Sequence, residues 1–301
     1  MVRFTSFPRP LLLSLVVLLF TINAFSQNDD VINVDSSIVV MNAAVTDQAG
    51  KAVSGLNAKL FHVFEDGTEQ TIQSFETEET PFAAVILIDT SGSMEQRLAL
   101  ARAAAIQFLG GLRRNDVAAI YNFDRKVDLV QDFSNTHDML DRFYDLRADG
   151  MTVLNDAICQ ASEVLSKRPE KRRAIIVLSD GADTQSKNSE DKALRAALAV
   201  NATIYSVDMS APDLKPVEKA ANRGALKSFA DKTGGKYVET PGGVAMREAF
   251  SQIVEELGQQ YTLAYEPSNT KKDGKWRAIR LVINRPNLTI RTRKGYNAPK
   301  K

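Results

Sequence analysis

Residues 82–88 read Phe-Ala-Ala-Val-Ile-Leu-Ile, with no polar side chain until Asp89. A strand that lacks polar alternation must be covered on both faces, which places it at the centre of a parallel sheet. Residues 174–178 form a second solid apolar run and end in Ser179-Asp180-Gly181. Around these runs the spacing changes. Met94, Leu98, Ala101, Ala105, Phe108 and Leu112 recur every three or four positions, one face of a helix, with Gly110-Gly111 as a stop signal. Residues 116–123 and 127–130 read as further strands, and 137–146 and 155–166 as helices. A helix through Leu194, Ala197 and Leu198 leads to strands at 203–207 and 235–238, and Met246, Ala249, Phe250, Ile253 and Leu257 mark a last helix. This alternation predicts an α/β domain over residues 81–260, a doubly wound, mostly parallel sheet with helices on both faces.

The flanks have strand character instead. In residues 27–80, segments 38–45, 60–64 and 70–75 are β-like, and Asp66-Gly67 is a hairpin signal between the last two. In residues 261–301, segments 261–265, 276–283 and 288–293 are β-like. Residues 27–80 hold ten acidic and two basic residues, whereas 271–301 hold eleven basic and one acidic. Neither flank is long enough for a comfortable core of its own. The two are expected to pair into one small β-subdomain, with opposite charge favouring the pairing across strands. A basic tail for membranes or nucleic acid is the rival reading, and the alternating apolar residues argue against it.

Residues 1–26 read as a secretory signal peptide. Arg3 and Arg9 precede an apolar run at 11–20 broken only by Ser14, and Ala24-Phe25-Ser26 is a small-x-small end. As an uncleaved anchor the run is short for a hydrocarbon layer of about 30 Å. The expectation is an exported protein, periplasmic or secreted, with no membrane span once the signal is removed. Near-balanced charge, 38 Lys+Arg against 37 Asp+Glu, argues against a general nucleic-acid binder. One cysteine, Cys159, excludes an internal disulfide framework and any multi-cysteine metal site, and reads as a buried, inert thiol. With only His62 and His137 present, histidine-rich metal centres are out.

One constellation carries chemistry. Asp89-Thr90-Ser91-Gly92-Ser93 is an Asp-x-Ser-x-Ser pattern between the first apolar strand and its helix. Gly150-Met151-Thr152 lies in the loop before a later helix, and Asp180 ends the second apolar strand. All belong at the carboxyl edge of the sheet, where open α/β sheets bind ligands. Asp89, Ser91, Ser93, Thr152 and Asp180 offer two carboxylates and three hydroxyls. Oxygen-only donors suit a hard dication such as Mg²⁺, with Mn²⁺ or Ca²⁺ as alternatives. Hydroxyls are weak neutral ligands, so such an ion stays electrophilic, and an Asp or Glu carboxylate on a protein partner is the natural further ligand. The bland alternative is that Ser93 merely caps the helix from Met94.

These five residues resemble the metal-ion-dependent adhesion site of von Willebrand factor type A domains, in order and in role, over roughly residues 81–260. A wider resemblance, carried by residues 63–67, 261–267 and 293–296, extends to the secreted acidobacterial type A-related family. The resemblance implies a metal-dependent, adhesion-type protein-binding module rather than an enzyme. It further implies that Asp89, Ser91 and Ser93 coordinate the metal, that Thr152 joins when ligand is bound, and that Asp180 coordinates directly or through water.

Rival chemistries lack their residues. A haloacid-dehalogenase-like phosphatase wants a second Asp where Ser91 stands. No Gly-x-Ser-x-Gly elbow, dinucleotide fingerprint or phosphate loop occurs, and Ser189-Glu190-Asp191-Lys192 has no companion motifs. Two alternatives to the adhesion module stay open: a scaffold subunit of an envelope complex with a structural metal, and a metal-assisted hydrolase.

Overall fold

The computed structural model describes residues 38–77, 80–136, 138–210, 216–239 and 243–300. The signal-peptide reading of residues 1–26 lies outside them, as does His137.

The chain opens with β1 (Val39–Thr46), β2 (Phe61–Glu65), β3 (Thr68–Gln70) and β4 (Ile72–Glu76). The α/β portion follows as β5 (Phe82–Asp89), α1 (Leu98–Gly110), β6 (Val117–Phe123), β7 (Val127–Ser134), α2 (Asp141–Tyr144) and α3 (Leu154–Ser166). It continues through β8 (Arg172–Ser179), α4 (Glu190–Ala199), β9 (Ala202–Asp208), α5 (Pro216–Thr233), β10 (Tyr237–Glu239) and α6 (Gly243–Gly258). The chain returns through β11 (Tyr261–Tyr265), β12 (Trp276–Ile283), β13 (Thr289–Thr292) and β14 (Gly295–Asn297).

Six strands form the central sheet in the order β10-β9-β8-β5-β6-β7, parallel except for the edge strand β7, which runs antiparallel to β6. Every residue of β5 is buried, and the two-residue period of a strand divides them between two cores. Phe82, Ala84, Ile86 and Ile88 pack with Ala101, Ala105 and Phe108 of α1 and with Phe250 and Leu257 of α6. Ala83, Val85 and Leu87 pack with Ile158 and Ala161 of α3 and Leu194 of α4. The doubly wound expectation is therefore met. Because β6 lies on one side of β5 and β8 on the other, the winding reverses between β5 and β8.

Two four-stranded antiparallel sheets, β13-β1-β11-β4 and β14-β12-β2-β3, flank this portion, and each takes two strands from either end of the chain. Their inward residues, among them Met41, Val63, Tyr261, Leu263 and Leu281, share one apolar cluster. The residues of β12 alternate between exposed and buried from Trp276 to Leu281, the pattern of a sheet with one wet face. The flanks thus build one β-subdomain. Arg172, fully buried, ties it to the α/β portion through Thr262 Oγ1 (3.0 Å) and the carbonyls of Thr77 and Thr80.

Across the pairing of β12 with β2, Arg280 lies opposite Phe64 and lays its guanidinium over the ring at 4.1 Å. Three expectations need correction. The strand expected at 70–75 breaks at Thr71: β3 closes the hairpin on Asp66 and Gly67, both at positive φ, while β4 leaves for the other sheet. The helix expected over 137–146 is a single turn, Asp141–Tyr144. An unexpected helix, α5, lies between β9 and β10; among its described side chains, burial in Leu226, Phe229 and Ala230 is confined to its second half, so its amphipathic signal is weak.

Candidate metal centre

Asp89 closes β5 with no exposed surface. Its Oδ1 accepts the N–H of Ser91 at 2.9 Å, a tight local turn, and its Oδ2 accepts the hydroxyl of Ser179 from the end of β8 at 2.5 Å. One carboxylate is thereby clamped across the point where the winding reverses. The backbone of the turn is held on two sides: Thr90 N–H donates to Phe123 O at 2.9 Å, and Asp149 N–H donates to Thr90 O at 2.9 Å.

Ser91 Oγ and Ser93 Oγ lie 3.1 Å apart. Helix α1 starts only at Leu98, after Arg97, with no side-chain cap, so Ser93 does not cap it. The hydroxyls are turned toward each other. The loop before α3 reaches this turn through Gly92 N–H to Gly150 O at 3.2 Å. Gly150 takes φ +79°, a left-handed conformation that favours glycine there. Thr152, 3% exposed, is fixed on its main chain by Thr184: its N–H donates to Thr184 Oγ1 at 2.9 Å, and its carbonyl accepts from Thr184 N–H at 3.0 Å.

Asp180, 6% exposed, accepts Ala182 N–H at 3.1 Å, while the hydroxyl of Ser210 donates to its carbonyl at 3.3 Å. The structure brings the five expected residues to one sheet edge, with Asp89, Ser91 and Ser93 linked directly. Thr152 arrives through its loop backbone, and Asp180 through neighbouring Ser179 and its charge. Among the described residues, no hydrogen bond joins the Thr152 or Asp180 side chain to Ser91 or Ser93.

Burial pushes the Asp89 carboxyl up to about 7, the nearby Asp180 charge adds to this, and the hydrogen bonds from Ser179 and Ser91 oppose it. Neither carboxylate has a basic partner among the described residues. The donor set fits a small dication on two counts. The 3.1 Å between Ser91 Oγ and Ser93 Oγ is close to the ~3 Å edge of an octahedron with ~2.1 Å bonds, as Mg²⁺ demands. A desolvated carboxyl beside a second one also gains from a positive charge. Among the described residues, no cluster of three or more His, Cys, Asp or Glu offers a competing site.

The neighbouring carboxylates have other duties. Asp183 caps α3 from across the loop, accepting Asn155 N–H at 2.8 Å. Asp156 holds the loop before α4 by accepting the N–H groups of Lys187 and Asn188. Asp128 pairs with Lys126 at 3.1 Å. Cys159 is half-buried, and burial raises its thiol pKa. Sequence reasoning missed Ser179 and Thr184 as the residues that hold Asp89 and Thr152; for Ser179 the available signal was its place immediately before Asp180.

Residues 84–182 match the family model of the von Willebrand factor type A domain, so this stretch is a domain of that class. No curated protein matches the chain. Among solved structures, a minor pilin, PilB of Streptococcus sanguinis, aligns at 16% identity and TM-score 0.47, over 60% of this chain and 62% of that one, so the chain spans less than two thirds of that pilin. A type A protein from Catenulispora acidiphila aligns at 14% identity and TM-score 0.49, over 88% of this chain and 75% of that one. The corresponding domain of the pilus tip protein Mfa5 from Porphyromonas gingivalis aligns at 14% identity and TM-score 0.48, over 57% and 94%. Among the described residues, no helix is long and apolar enough to cross a membrane.

Proposed function

We propose that the chain is an exported protein-binding module that captures a carboxylate of a protein partner through a divalent cation, Mg²⁺ first, held by Asp89, Ser91, Ser93, Thr152 and Asp180. The observation that carries this is the buried Asp89 carboxyl, clamped at the winding reversal beside a facing hydroxyl pair and without a basic partner among the described residues. Asp89 supplies fixed negative charge and Ser179 fixes its orientation. Ser91 and Ser93 supply neutral oxygens from a turn whose backbone is already hydrogen-bonded. Thr184 holds the Thr152 loop in place. When bound, the cation offers an electrophilic position to an incoming carboxylate. The kinship of the flanks to the acidobacterial secreted family, and a periplasmic or secreted location, belong to the same reading.

Mn²⁺ titration of the purified protein, followed by calorimetry, tests the site. The expected result is one ion per chain, with Asp89→Ala remaining folded by circular dichroism and binding weakened more than about 100-fold, beyond the range typical of losing an outer-shell partner. Pull-downs from the source envelope and medium then compare Mg²⁺ with EDTA. Recovery of the same proteins under both conditions overturns metal-bridged capture. If Asp89→Ala unfolds and capture never depended on Mg²⁺, the site belongs to a scaffold subunit with a structural metal.

A further inference from the structure

We propose that the groove where the β-subdomain meets the amino end of β8 binds a small organic carboxylate with an apolar body. The groove has a volume of about 720 Å³, in the range of small-molecule sites. Its walls are the start of β1, the start of β8, the turn after α4, and the segment around β14. It is separate from the metal centre: β8 is eight residues long and Asp180 follows its other end, a separation of roughly 25 Å at ~3.3 Å per residue.

The charge lining the groove is one-sided. Lys171, Arg173, Arg195 and Arg293 line it, and among the described residues no Asp or Glu does. Lys171 is paired with Glu76 and Arg195 with Asp191. Arg173 makes no direct ion pair among the described residues and feels Glu170, itself bonded to Arg168, only through its charge, while Arg293 has no carboxylate partner among them. Arg173 donates only to main-chain carbonyls, of Val200 at 3.1 Å and Arg168 at 2.7 Å. Arg293 is 7% exposed; it reaches the Leu198 carbonyl at 3.3 Å and stacks over Tyr296 at 5.6 Å. Nε of both arginines and Nδ2 of Asn201, which also lines the groove, are buried and find no acceptor among the described residues. A cation removed from water without a counter-charge is costly, and so is an unpaired donor. Arg293, desolvated without a carboxylate partner among the described residues, and Arg173, whose nearby Glu170 is already bonded to Arg168, leave this wall with an excess of positive charge that an anion in the groove would offset.

The rest of the lining sets the body of the ligand. Ile38, Pro169, Leu198 and Pro299 present apolar surface to it. A planar carboxylate suits the guanidinium fork. A hydrocarbon or aromatic frame behind it suits the apolar wall.

Calorimetric titration of the full-length protein with decanoate, and with 1-decanol as the uncharged control, tests the assignment. One decanoate is expected to bind saturably per chain, equally in Mg²⁺ and in EDTA, and at least about tenfold more tightly than decanol. Arg173→Gln and Arg293→Gln should each weaken decanoate about tenfold while leaving decanol unchanged. Absence of saturable decanoate binding, equal affinity for the alcohol, or affinities unmoved in the folded variants would overturn the proposal. Should Arg293→Gln fail to fold, Arg173→Gln, whose side chain is less deeply buried, decides alone.

Discussion

Asp89 combines full burial with a carboxyl pushed up to about 7, from 3.8 in an ordinary environment. Between those two values the native state keeps a proton that the unfolded chain has lost, so native stability falls as pH rises through the window. At ~1.4 kcal/mol per unit, the whole shift corresponds to at most ~4 kcal/mol. EDTA-treated protein should therefore lose stability from pH 4 toward 7, and Mg²⁺ should raise the melting temperature more at pH 8 than at pH 5. Asp89→Asn should remove that difference, and a larger Mg²⁺ effect at pH 5 would refute it. Ser179 makes a second prediction possible. Its hydroxyl lowers the Asp89 pKa, so Ser179→Ala should move the midpoint of pH-dependent Mn²⁺ binding to higher pH; an unmoved midpoint counts against the clamp. The Asp-x-Ser-x-Ser pattern was legible because its members are sequence neighbours whose oxygens one turn can gather. The Ser179 contact spans 90 positions and the Thr184 contact 32, distances over which spacing carries no signal.

At the scale of elements, the loop after β8 is fixed against α5 by close backbone contact. Gly181 takes φ +84°, and a Cβ there would stand 2.4 Å from Asn222 O in α5. Backbone rather than a flexible side chain blocks the space, so Gly181→Ala should cost about 3 kcal/mol, combining left-handed strain with overpacking. Urea denaturation measures it, and a loss below about 1 kcal/mol would mean that α5 yields easily. The solid apolar strands β5 and β8 were readable because full burial removes polar alternation. Helix α5 was not, since its described buried residues gather in the second half. The strand at 70–75 was read as continuous because its residues favour extended backbone throughout; that it changes sheets at Thr71 is decided by partners nearly 200 residues away, such as Ser268 holding Gln70.

For the whole molecule, the interleaving of the two chain ends is the decisive feature. Removing residues 271–301 deletes β12, β13 and β14, leaving β2 without β12 and β1 without β13. The truncated protein should show new protease cuts within residues 38–77, and an unchanged digestion pattern there would refute the mutual dependence of the flanks. Alternating apolar residues at both ends made this pairing legible. The contacts that join the ends are buried hydroxyls and rings: Tyr265 and Tyr296 both donate to Glu65, and Thr262 donates to Asn42.

A contact such as that from Thr262 to Asn42 links positions 220 residues apart, which fixes an order of events. At ribosomal speeds of ~5–20 residues per second, the opening strands wait roughly ten to forty seconds for their neighbours to be synthesised. The α/β portion holds its own strands between residues 82 and 239, whereas the two flanking sheets cannot close until both chain ends exist; whatever keeps the unpaired edges of β1 from other chains in the interval is as much a requirement of this architecture as any residue inside it.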